Sequence, residues 1–439
     1  MNIIQLLPDH VANQIAAGEV IQRPASAVKE MLENALDAGG SEIKLYVKDA
    51  GKTLLQVVDN GCGMSETDVR MCFERHATSK IKSADDLFAI QTMGFRGEAM
   101  ASIAAIAHVE ANTKLTTNEL GSHLVIEGSE IREHTDCATA NGTSIKVKNL
   151  FYNVPARRNF LKSDTVEMRH ITEEFTRISL ANPEIKMQLF HNNNEIYHLT
   201  KGNFRQRIVN IIGGKKNETL VPIEEETSVV KLNGFIGKPE SAKRTRGEQY
   251  FFVNGRFIKN HYLHHAVSKA FEDLIPSNYF PSYFINLHID PKLIDINIHP
   301  TKTEIKFEDE QAIYAIMRAC VKRSLGQYNI APTLDFLQEL SLDISTSMST
   351  TTMKEPQIKV DSSYNPFEKA DNFRLNEQSI SKEVQVKTNL EIENKSSNVM
   401  QIGNKYIAFT TVEGMVLLHQ RRAHKRILFE YFSTVLSKN

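Results

Sequence analysis

The chain has 439 residues, enough for two or three domains at roughly 100 to 200 residues each, which excludes a peptide or a disulfide-stapled miniprotein. Its 41% hydrophobic and 24% charged residues are typical of globular proteins and exclude both a wholly disordered chain and a membrane bundle. The 52 Lys and Arg residues nearly balance the 53 Asp and Glu residues, so any basic surface must be local.

The N-terminal segment does not resemble a secretion signal, because no basic run precedes its apolar stretch and Asp9 and Glu19 interrupt it. No segment reaches the about 18 apolar residues that span a membrane. The cysteines are Cys62, Cys72, Cys137 and Cys320. They are scattered and form no CxxC pair, which favours reduced thiols and argues against a structural zinc site. These features together predict a cytoplasmic protein.

The first helix of clear amphipathic character is predicted from Ser26 to Ala38, with Ser26 as its N-cap and Gly39 as its stop. Its apolar stripe consists of Val28, Met31, Leu32, Ala35 and Leu36. The opposite face carries Glu30, Glu33, Asn34 and Asp37, at positions i, i+3, i+4 and i+7. A solvated acidic face is the ordinary interpretation of this spacing, and a binding site is the alternative.

Two glycine-rich turns follow in chain order. Strands are predicted from Ile43 to Val47 and from Leu54 to Val58, and the second leads into Asp59-Asn60-Gly61-Cys62-Gly63. There the glycines allow a ligand close to the backbone and the aspartate can accept a hydrogen bond, although such a turn is also common without a ligand. Gly94-Phe95-Arg96-Gly97-Glu98 opens a helix through Ala107, and free amides at a helix N-terminus bind phosphate.

A second folded unit is predicted to begin near Gln206. It contains the alternating hairpin YFFVNGRFI around Asn254 and Gly255, a helix from Leu263 to Leu274, and strands in YFINLHID and IDINIH. A further helix is predicted from Glu310 to Leu325.

The composition changes after this helix. Residues 329–398 are poor in apolar residues and contain the run STSMSTTT, a composition that cannot offset the entropy of ordering and predicts a flexible linker. From Val399 strand patterns return in YIAFTT and MVLLH, followed by a helix from Arg426 to Val435. Residues 399–439 are too few to bury a core alone, so they are expected to be the beginning of a domain.

The motifs around the predicted helix and turns, with Gly142-Thr143 opening a later strand, resemble the four nucleotide-binding motifs of the GHKL ATPases. Longer runs resemble the MutL family of mismatch-repair ATPases: NQIAAGEVIQRPASAVKE, DNGCGM, RHATSK, GFRGEAMASI, LFYNVPARRNFL, VNGRFI and IHPTK, between Asn13 and Lys302. The resemblance implies an α+β fold in four parts, namely a GHKL (Bergerat-type) ATPase α/β sandwich (1–205), a transducer and DNA-binding domain like ribosomal protein S5 domain 2 (206–328), a disordered linker (329–398), and a partial C-terminal dimerisation domain (399–439).

The resemblance also implies roles for single residues, with ATP and Mg²⁺ as cofactors. Glu30 would be the general base that activates water, and Asn34 one turn later would be a magnesium ligand. Asp59 would accept a hydrogen bond from the adenine amino group, with Thr143 beside it. Lys302 would reach the terminal phosphate and act in catalysis with Glu30. The other expected nucleotide-binding residues are Asp37, Gly61, Gly63, the lid residues Thr78, Ser79 and Lys80, and Gly94, Phe95, Arg96, Gly97 and Glu98.

DNA binding is expected from a local excess of positive charge. The segment from Lys238 to Lys269 contains seven Lys or Arg residues and two glutamates. The residues expected to contact DNA phosphates are Arg256, Lys243, Arg244, Arg246 and Lys259. A second candidate patch consists of Lys146, Lys148, Arg157, Arg158 and Lys162. Phosphate contacts give salt-dependent binding that is largely independent of sequence, whereas an isolated charge run is more often a solvated surface.

The implied function is an ATP-driven switch in mismatch repair. ATP would join two N-terminal units as a homodimer around double-stranded, mismatched DNA, and hydrolysis would release them. The switch would pass the signal of a MutS-like mismatch sensor to a downstream nuclease and helicase, in the cytoplasm at the nucleoid. The alternatives are another GHKL enzyme, such as a gyrase or a histidine kinase, and a nonenzymatic or degenerate DNA-binding fragment without repair activity.

The C-terminal end departs from the endonuclease-type members of the family. Their metal motif, DQHAxxE, aligns with His419-Gln420-Arg421-Arg422-Ala423-His424-Lys425, which has His, Arg and Lys in place of the aspartate, the motif histidine and the glutamate. Positive side chains repel a divalent cation, so nicking of DNA is not expected. A permanent dimer through this truncated end is not expected either.

Overall fold

The computed structural model describes residues 8–80, 93–94, 97–295, 304–330, 399–402, 406–411 and 414–436. They belong to two units, Met1–Leu342 and Asp343–Asn439. Phe95, Arg96, Lys302 and the linker after Ile330 lie outside the described residues, so the predictions made for them stay predictions. In the described part, no helix combines the length and apolar character needed to cross a membrane.

The first part of the larger unit is built on an eight-stranded sheet. Its strands are β1 (Glu42–Lys48), β2 (Leu54–Asp59), β3 (His108–Lys114), β4 (Gly121–Glu127), β5 (Glu130–Cys137), β6 (Gly142–Lys148), β7 (Lys186–His191) and β8 (Asn194–Leu199). Their order is β5-β4-β3-β6-β2-β1-β7-β8. Strands β1 and β7 are parallel, and the other neighbouring pairs are antiparallel.

Helices cover one face of this sheet. The helices in this part are α1 (Asp9–Val20), α2 (Pro24–Asp37), α3 (Glu66–Met71), α4 (Ala99–Ile106), α5 (Pro155–Phe160), α6 (Asp164–Ala181) and α7 (Phe204–Ile212). Apolar side chains of α2, α4 and α6, such as Leu32, Ile103 and Ile171, share one buried cluster with Leu45 and Val57 of the strands. The strands alternate buried and more exposed residues, which leaves their second face open to solvent.

Helix α2 begins two residues before the predicted start. Ser26 lies inside the helix, and the N-cap position is Arg23, whose side chain makes no capping bond. Pro24 occupies the first turn, where its fixed φ suits a helix and its missing N–H leaves no donor unsatisfied, so the prediction of Ser26 as N-cap was wrong. The predicted stop at Gly39 is confirmed, since this residue has a φ of 74° and its amide donates to the Leu36 carbonyl.

The second part contains a five-stranded sheet. Its strands are β9 (Leu220–Glu226), β10 (Lys231–Gly237), β11 (Gln249–Val253), β12 (Arg256–Ile258) and β13 (Tyr283–His288), and two short strands, β14 (Ile294–Asp295) and β15 (Lys306–Phe307), pair separately. The sheet order is β12-β11-β13-β10-β9, with β11 and β13 parallel. Helices α8 (His261–Ala270) and α9 (Glu310–Ile330) pack on one face. The predicted hairpin is confirmed, because Asn254 and Gly255 have φ values of 48° and 80°, as a two-residue turn of twisted strands requires.

A buried arginine fixes helix α7, which leads into the second part, to the first part of the unit. Arg207 of α7 is 1% exposed. Its guanidinium donates to the carbonyl oxygens of Ser179, Pro183, Ile185 and Thr200 at 2.6 to 3.1 Å. Burial lowers the pKa of Arg207 to about 10. An apolar cluster beside it combines α6 and α7 with the second sheet through Leu180, Ile208, Leu220, Phe252 and Phe284.

The smaller unit contains an antiparallel meander and a helix. The meander consists of β16 (Val399–Ile402), β17 (Tyr406–Thr411) and β18 (Gly414–His419), which confirms the predicted strands. Helix α10 (Gln420–Leu436) begins six residues before its predicted start, directly after β18. The α+β class predicted for the chain is confirmed by both units.

Candidate functional site

The polar face of α2 holds two separate groups of charges. The Nζ atom of Lys29 lies 3.4 Å from Glu30 and 3.1 Å from Glu33, and Glu33 is only 5% exposed, so this face is not a solvated one. Burial acts to lower the pKa of Lys29, but the charges of Glu33 and Glu30 outweigh it and raise that pKa. A positively charged lysine therefore lies beside Glu30, the residue predicted to act as the general base.

The second group binds a lysine from the lid segment. The Nζ atom of Lys80 lies 2.9 Å from Asn34 Oδ1 and 2.6 Å from Asp37 Oδ2. The ammonium group thus marks a place where two oxygen ligands of α2 accept a cation. Carboxylate and amide oxygens are also the ligands that Mg²⁺ prefers, so these two side chains fit the predicted metal.

Asp37 also holds the start of the second glycine-rich turn. Its Oδ1 accepts the amide of Met93 and its Oδ2 accepts the amide of Gly94, both at 3.0 Å. This places Gly94 beside Asn34 and Asp37. The contact predicted between Gly94 and the triphosphate stays a prediction. Further along, Gly97 accepts the amide of His76 at 3.1 Å, which connects this turn to the lid segment.

Asp59, at the end of β2, is buried with 9% of its surface exposed. Its Oδ1 accepts the Gly61 amide at 2.9 Å. Burial raises the pKa of Asp59 to about 6, although backbone hydrogen bonds from Gly61 and Thr143 act to lower it. A buried carboxylate with remaining acceptor capacity, facing a polar group on a ligand, gives the selectivity that a base-recognition site requires. The turn interpretation of this motif is therefore confirmed, and the acceptor interpretation stays a prediction.

Close packing of the chain requires the glycine at position 63. Gly63 has a φ of 73°, and a Cβ atom there would lie 2.1 Å from the carbonyl oxygen of Lys114. A glycine is therefore required at this position because a side chain would collide with the backbone of β3, whether or not a ligand binds. The sequence indicated a turn or a place for close approach of a ligand at Gly61 and Gly63, and it did not reveal this contact with β3.

The lid segment and the residues around it are partly described. Thr78 is half-buried and its Oγ1 accepts the Lys80 amide at 3.2 Å, while Ser79 is exposed. Glu98 precedes α4 and lies 3.7 Å from the His76 ring. Their predicted contacts with nucleotide stay predictions.

Sequence reasoning missed Thr113 as a supporting residue. This fully buried side chain of β3 has its Oγ1 3.0 Å from Thr143 Oγ1, and it accepts the amide of Met64 at 2.9 Å. It therefore joins the strand that carries Thr143 to the turn after Asp59. The alternation of HVEANTK, in which Val109, Ala111 and Thr113 share the buried face, was the available signal.

The residues expected to bind DNA differ in accessibility. Arg244 and Arg246 are exposed, with their guanidinium groups 5.6 and 4.7 Å from the ring centres of Tyr279 and Phe280. Lys259 is exposed, and Lys243 pairs with the buried Glu248. Arg256 is only 7% exposed and donates to the Met93 carbonyl at 3.0 Å, so in this conformation it cannot reach a phosphate.

In the second candidate patch, two lysines are neutralised locally. Lys146 and Lys148 pair with Glu110 of the neighbouring strand at 2.5 and 2.6 Å. Burial acts to raise the pKa of Glu110, but the two lysines lower it to about 2. This patch therefore presents less positive charge than the sequence indicated.

Family comparisons agree with this geometry. A family model described as histidine kinase-, DNA gyrase B- and HSP90-like ATPase matches residues 22–153, which include Glu30, Asp59 and Thr143. A second model, described as DNA mismatch repair protein, C-terminal domain, matches residues 208–326, the region of the five-stranded sheet.

Two similar curated proteins, both called DNA mismatch repair protein MutL, come from Christiangramia forsetii and Flavobacterium psychrophilum. The first is 54% identical over 98% of this chain and 75% of its own length, and the second is 54% identical over 99% and 76%. The chain belongs to the MutL family of DNA mismatch repair proteins. As a MutL protein with a GHKL-type domain, it is an ATP-binding ATPase, and the gyrase and histidine kinase alternatives are set aside.

A solved structure supports the fold of this MutL protein. The crystal structure of the N terminal domain of a DNA repair protein has a TM-score of 0.64 and 22% sequence identity, and covers 73% of this chain and 99% of its own. At this identity the likeness concerns the fold alone. The exact domain boundaries predicted for the MutL chain stay predictions.

The C-terminal segment of the MutL chain is also described. His419 ends β18 and residues 420–425 form the first turns of α10, where Arg426 pairs with Glu430 at 2.5 Å. Among the residues that the structure describes, no three His, Cys, Asp or Glu side chains are placed to hold a metal ion together.

Proposed function

We propose that this chain is the ATP-driven switch of mismatch repair, a slow ATP hydrolase stimulated by DNA. The observation that carries the proposal is that Asn34 and Asp37, on the same face of α2 as Glu30, lie beside Gly94, while Asp59 offers a buried acceptor at the end of β2. In the proposal these elements supply a general base, a cation site, a glycine-rich turn and a group that recognises the nucleobase, which ATP hydrolysis requires.

Each side chain has a proposed task. Glu30, which lies beside Lys29, would take a proton from the attacking water. Asn34 would hold Mg²⁺, which would offset the negative charge of the phosphates. Asp59 accepts from the adenine amino group, and Thr113 and Thr143 support that end of the site. Lys302 is proposed to approach the terminal phosphate from the second part of the chain.

Binding of nucleotide requires the lid segment to change its contacts. Lys80 occupies the oxygen ligands of Asn34 and Asp37, so it must leave them before a metal ion enters. We propose that this exchange orders the lid and promotes an N-terminal homodimer around double-stranded DNA. The dimer would couple a MutS-like sensor to a downstream nuclease and helicase, in the cytoplasm at the nucleoid.

Nicking of DNA by this chain itself is not part of the proposal. Arg421 and Lys425 stand where a metal-binding segment would need neutral or negative ligands, and both are exposed on α10. A supercoiled plasmid incubated with Mn²⁺ and the chain should therefore remain closed.

The central test is steady-state ATP hydrolysis by the purified chain with and without DNA. Glu30→Ala should retain nucleotide affinity and lose at least a hundredfold in turnover, because the general base is removed. Asn34→Ala should weaken binding of nucleotide in the presence of Mg²⁺. Unchanged turnover in Glu30→Ala would contradict the assignment, and failure of the wild-type chain to bind ATP would favour the degenerate, nonenzymatic alternative.

A further inference from the structure

Arg256 is the buried positive charge of the second sheet. It follows the hairpin turn at Asn254 and Gly255, and the alternation of β12 turns Arg256 and Ile258 inward. Its guanidinium lies in the larger unit between the hairpin and the glycine-rich turn, where Nη2 donates to the Met93 carbonyl at 3.0 Å. A charged donor bonded in a dry environment holds its acceptor more firmly than a neutral donor does.

Met93 is directly linked to the nucleotide site. Its own amide and that of Gly94 donate to the two carboxylate oxygens of Asp37. The peptide bond between Met93 and Gly94 therefore accepts a hydrogen bond from Arg256 at its carbonyl and donates one to Asp37 of α2 at its N–H. Movement of Asp37 or Gly94 when nucleotide binds must be transmitted to the Arg256 contact or must break it.

Other contacts fix the hairpin against the ATPase part. The Arg177 guanidinium of α6 lies 4.5 Å from the ring centre of Phe257, the residue after Arg256. A small cavity at this junction is lined by Lys29, Glu33 and Arg256, among others. Arg256 is thus close to the same charges that surround Glu30, and its positive charge acts to lower the pKa of Lys29.

Strand β11 connects this junction with the exposed arginines. It runs from Gln249, three residues after Arg246, to Val253, one residue before the turn that precedes Arg256. At about 3.3 Å per residue it spans about 17 Å. Because β11 pairs with β12 on one side and β13 on the other, it moves as a rigid element.

We propose that Arg256 is a positioning residue that couples the DNA-binding part to the nucleotide site, by holding the Met93 peptide from the far end of β11. The inference rests on the proposed ATPase function, and it replaces the earlier prediction that Arg256 contacts DNA. Binding of nucleotide and binding of DNA to the exposed loop around Arg244 and Arg246 then influence each other through one strand.

The test compares Arg256→Gln and Arg256→Lys with a matched control, Arg323→Gln. The control arginine lies in the same part of the chain, donates to the Glu224 carbonyl at 2.9 Å, and is remote from the site. We expect Arg256→Gln to raise the KM for ATP about tenfold, the effect of one lost charge-assisted hydrogen bond. It should also abolish stimulation by DNA, while DNA affinity without nucleotide stays within twofold. Arg256→Lys should recover part of both losses, and Arg323→Gln should match the wild type.

A measurement on the wild-type chain does not depend on the folding of any variant. A nonhydrolysable ATP analogue should change deuterium uptake by at least twofold in the hairpin at residues 249–258. Unchanged uptake there would overturn the proposal. So would an Arg256→Gln protein with normal KM and normal stimulation, or one that loses nucleotide-free DNA affinity together with one unit of salt slope. Absence of ATP turnover in the wild type would instead refute the proposed function.

Discussion

The burial of Asp59 lowers the stability of the fold. Its carboxyl is buried, so its charge is incompletely solvated. Its pKa is raised from 3.8 to about 6, which corresponds to about 3 kcal/mol of lost stability at neutral pH. The contact with adenine that we propose for Asp59 therefore conflicts with the stability of the fold.

Replacement of Asp59 by Asn should reveal this conflict. The folded carboxyl binds its proton more tightly than the unfolded one, so wild-type stability falls as the pH rises from about 4 to about 6 and then levels. We expect Asp59→Asn to be more stable by up to about 3 kcal/mol above pH 6, to lose this advantage near pH 4, and to bind ATP poorly.

Chemical denaturation of both proteins across this pH range is the measurement. Asp136→Asn, at an exposed position of β5, is the control and should show no such pH-dependent gain. Equal stability of Asp59→Asn and wild type at pH 7, with intact ATP binding, would remove Asp59 from the adenine site.

Helical spacing predicted which residues share a face, and the family resemblance supplied their roles. Glu30, Asn34 and Asp37 share a face of α2 because about one turn separates each from the next. The bond from Lys80 to Asp37 joins residues 43 positions apart, and no local pattern encodes it. Arg256 was assigned to the surface from the charge run around it, although the alternation of β12 indicates an inward side chain.

Helix α7 is fixed to the preceding part of the chain by the side chain of Arg207. Its buried guanidinium donates to carbonyls from the end of α6, the following loop and the segment after β8. Removal of the charge would leave these carbonyls without this donor. We expect Arg207→Gln to lower the free energy of unfolding by about 3 to 5 kcal/mol.

Arg205→Gln provides the matched comparison. Arg205 lies two residues earlier on the same helix and is half-buried. Its described hydrogen bonds go to Asn217, and its guanidinium lies 5.8 Å from the ring centre of Phe235. Its loss should lower the free energy of unfolding by less than about 1 kcal/mol. Similar values for the two variants in a urea titration would refute the special role of Arg207.

Element boundaries were less predictable than the elements themselves. Helix α2 starts at Pro24 because a proline needs no N–H partner, and α10 starts at Gln420 because it continues directly from β18. Both starts are decided by the neighbouring backbone, whereas the predictions relied on polar caps and apolar periodicity. The hairpin at Asn254 and Gly255 was predictable because its turn type depends on those two residues alone.

For the whole molecule, the nucleotide state should control assembly. Glu30→Ala binds ATP without releasing it by hydrolysis, so it should accumulate the N-terminal homodimer, whereas Asn34→Ala should remain a monomer under the same conditions. Sedimentation velocity with Mg²⁺ and ATP, compared with nucleotide-free samples, is the measurement. Identical sedimentation of Glu30→Ala with and without ATP would exclude a nucleotide-dependent dimer.

The position of Arg207 also determines where the polypeptide can be divided. The boundary predicted at 205/206 assigns this arginine to the second domain, yet its four acceptors all precede it in the ATPase part. A fragment that ends at Arg205 lacks the Arg207 side chain that bonds to these carbonyls, whereas a fragment that ends with α7 at Ile212 retains it. Limited proteolysis of the native chain should therefore not cut within α7. A chain expressed as two separate halves should be divided after this helix.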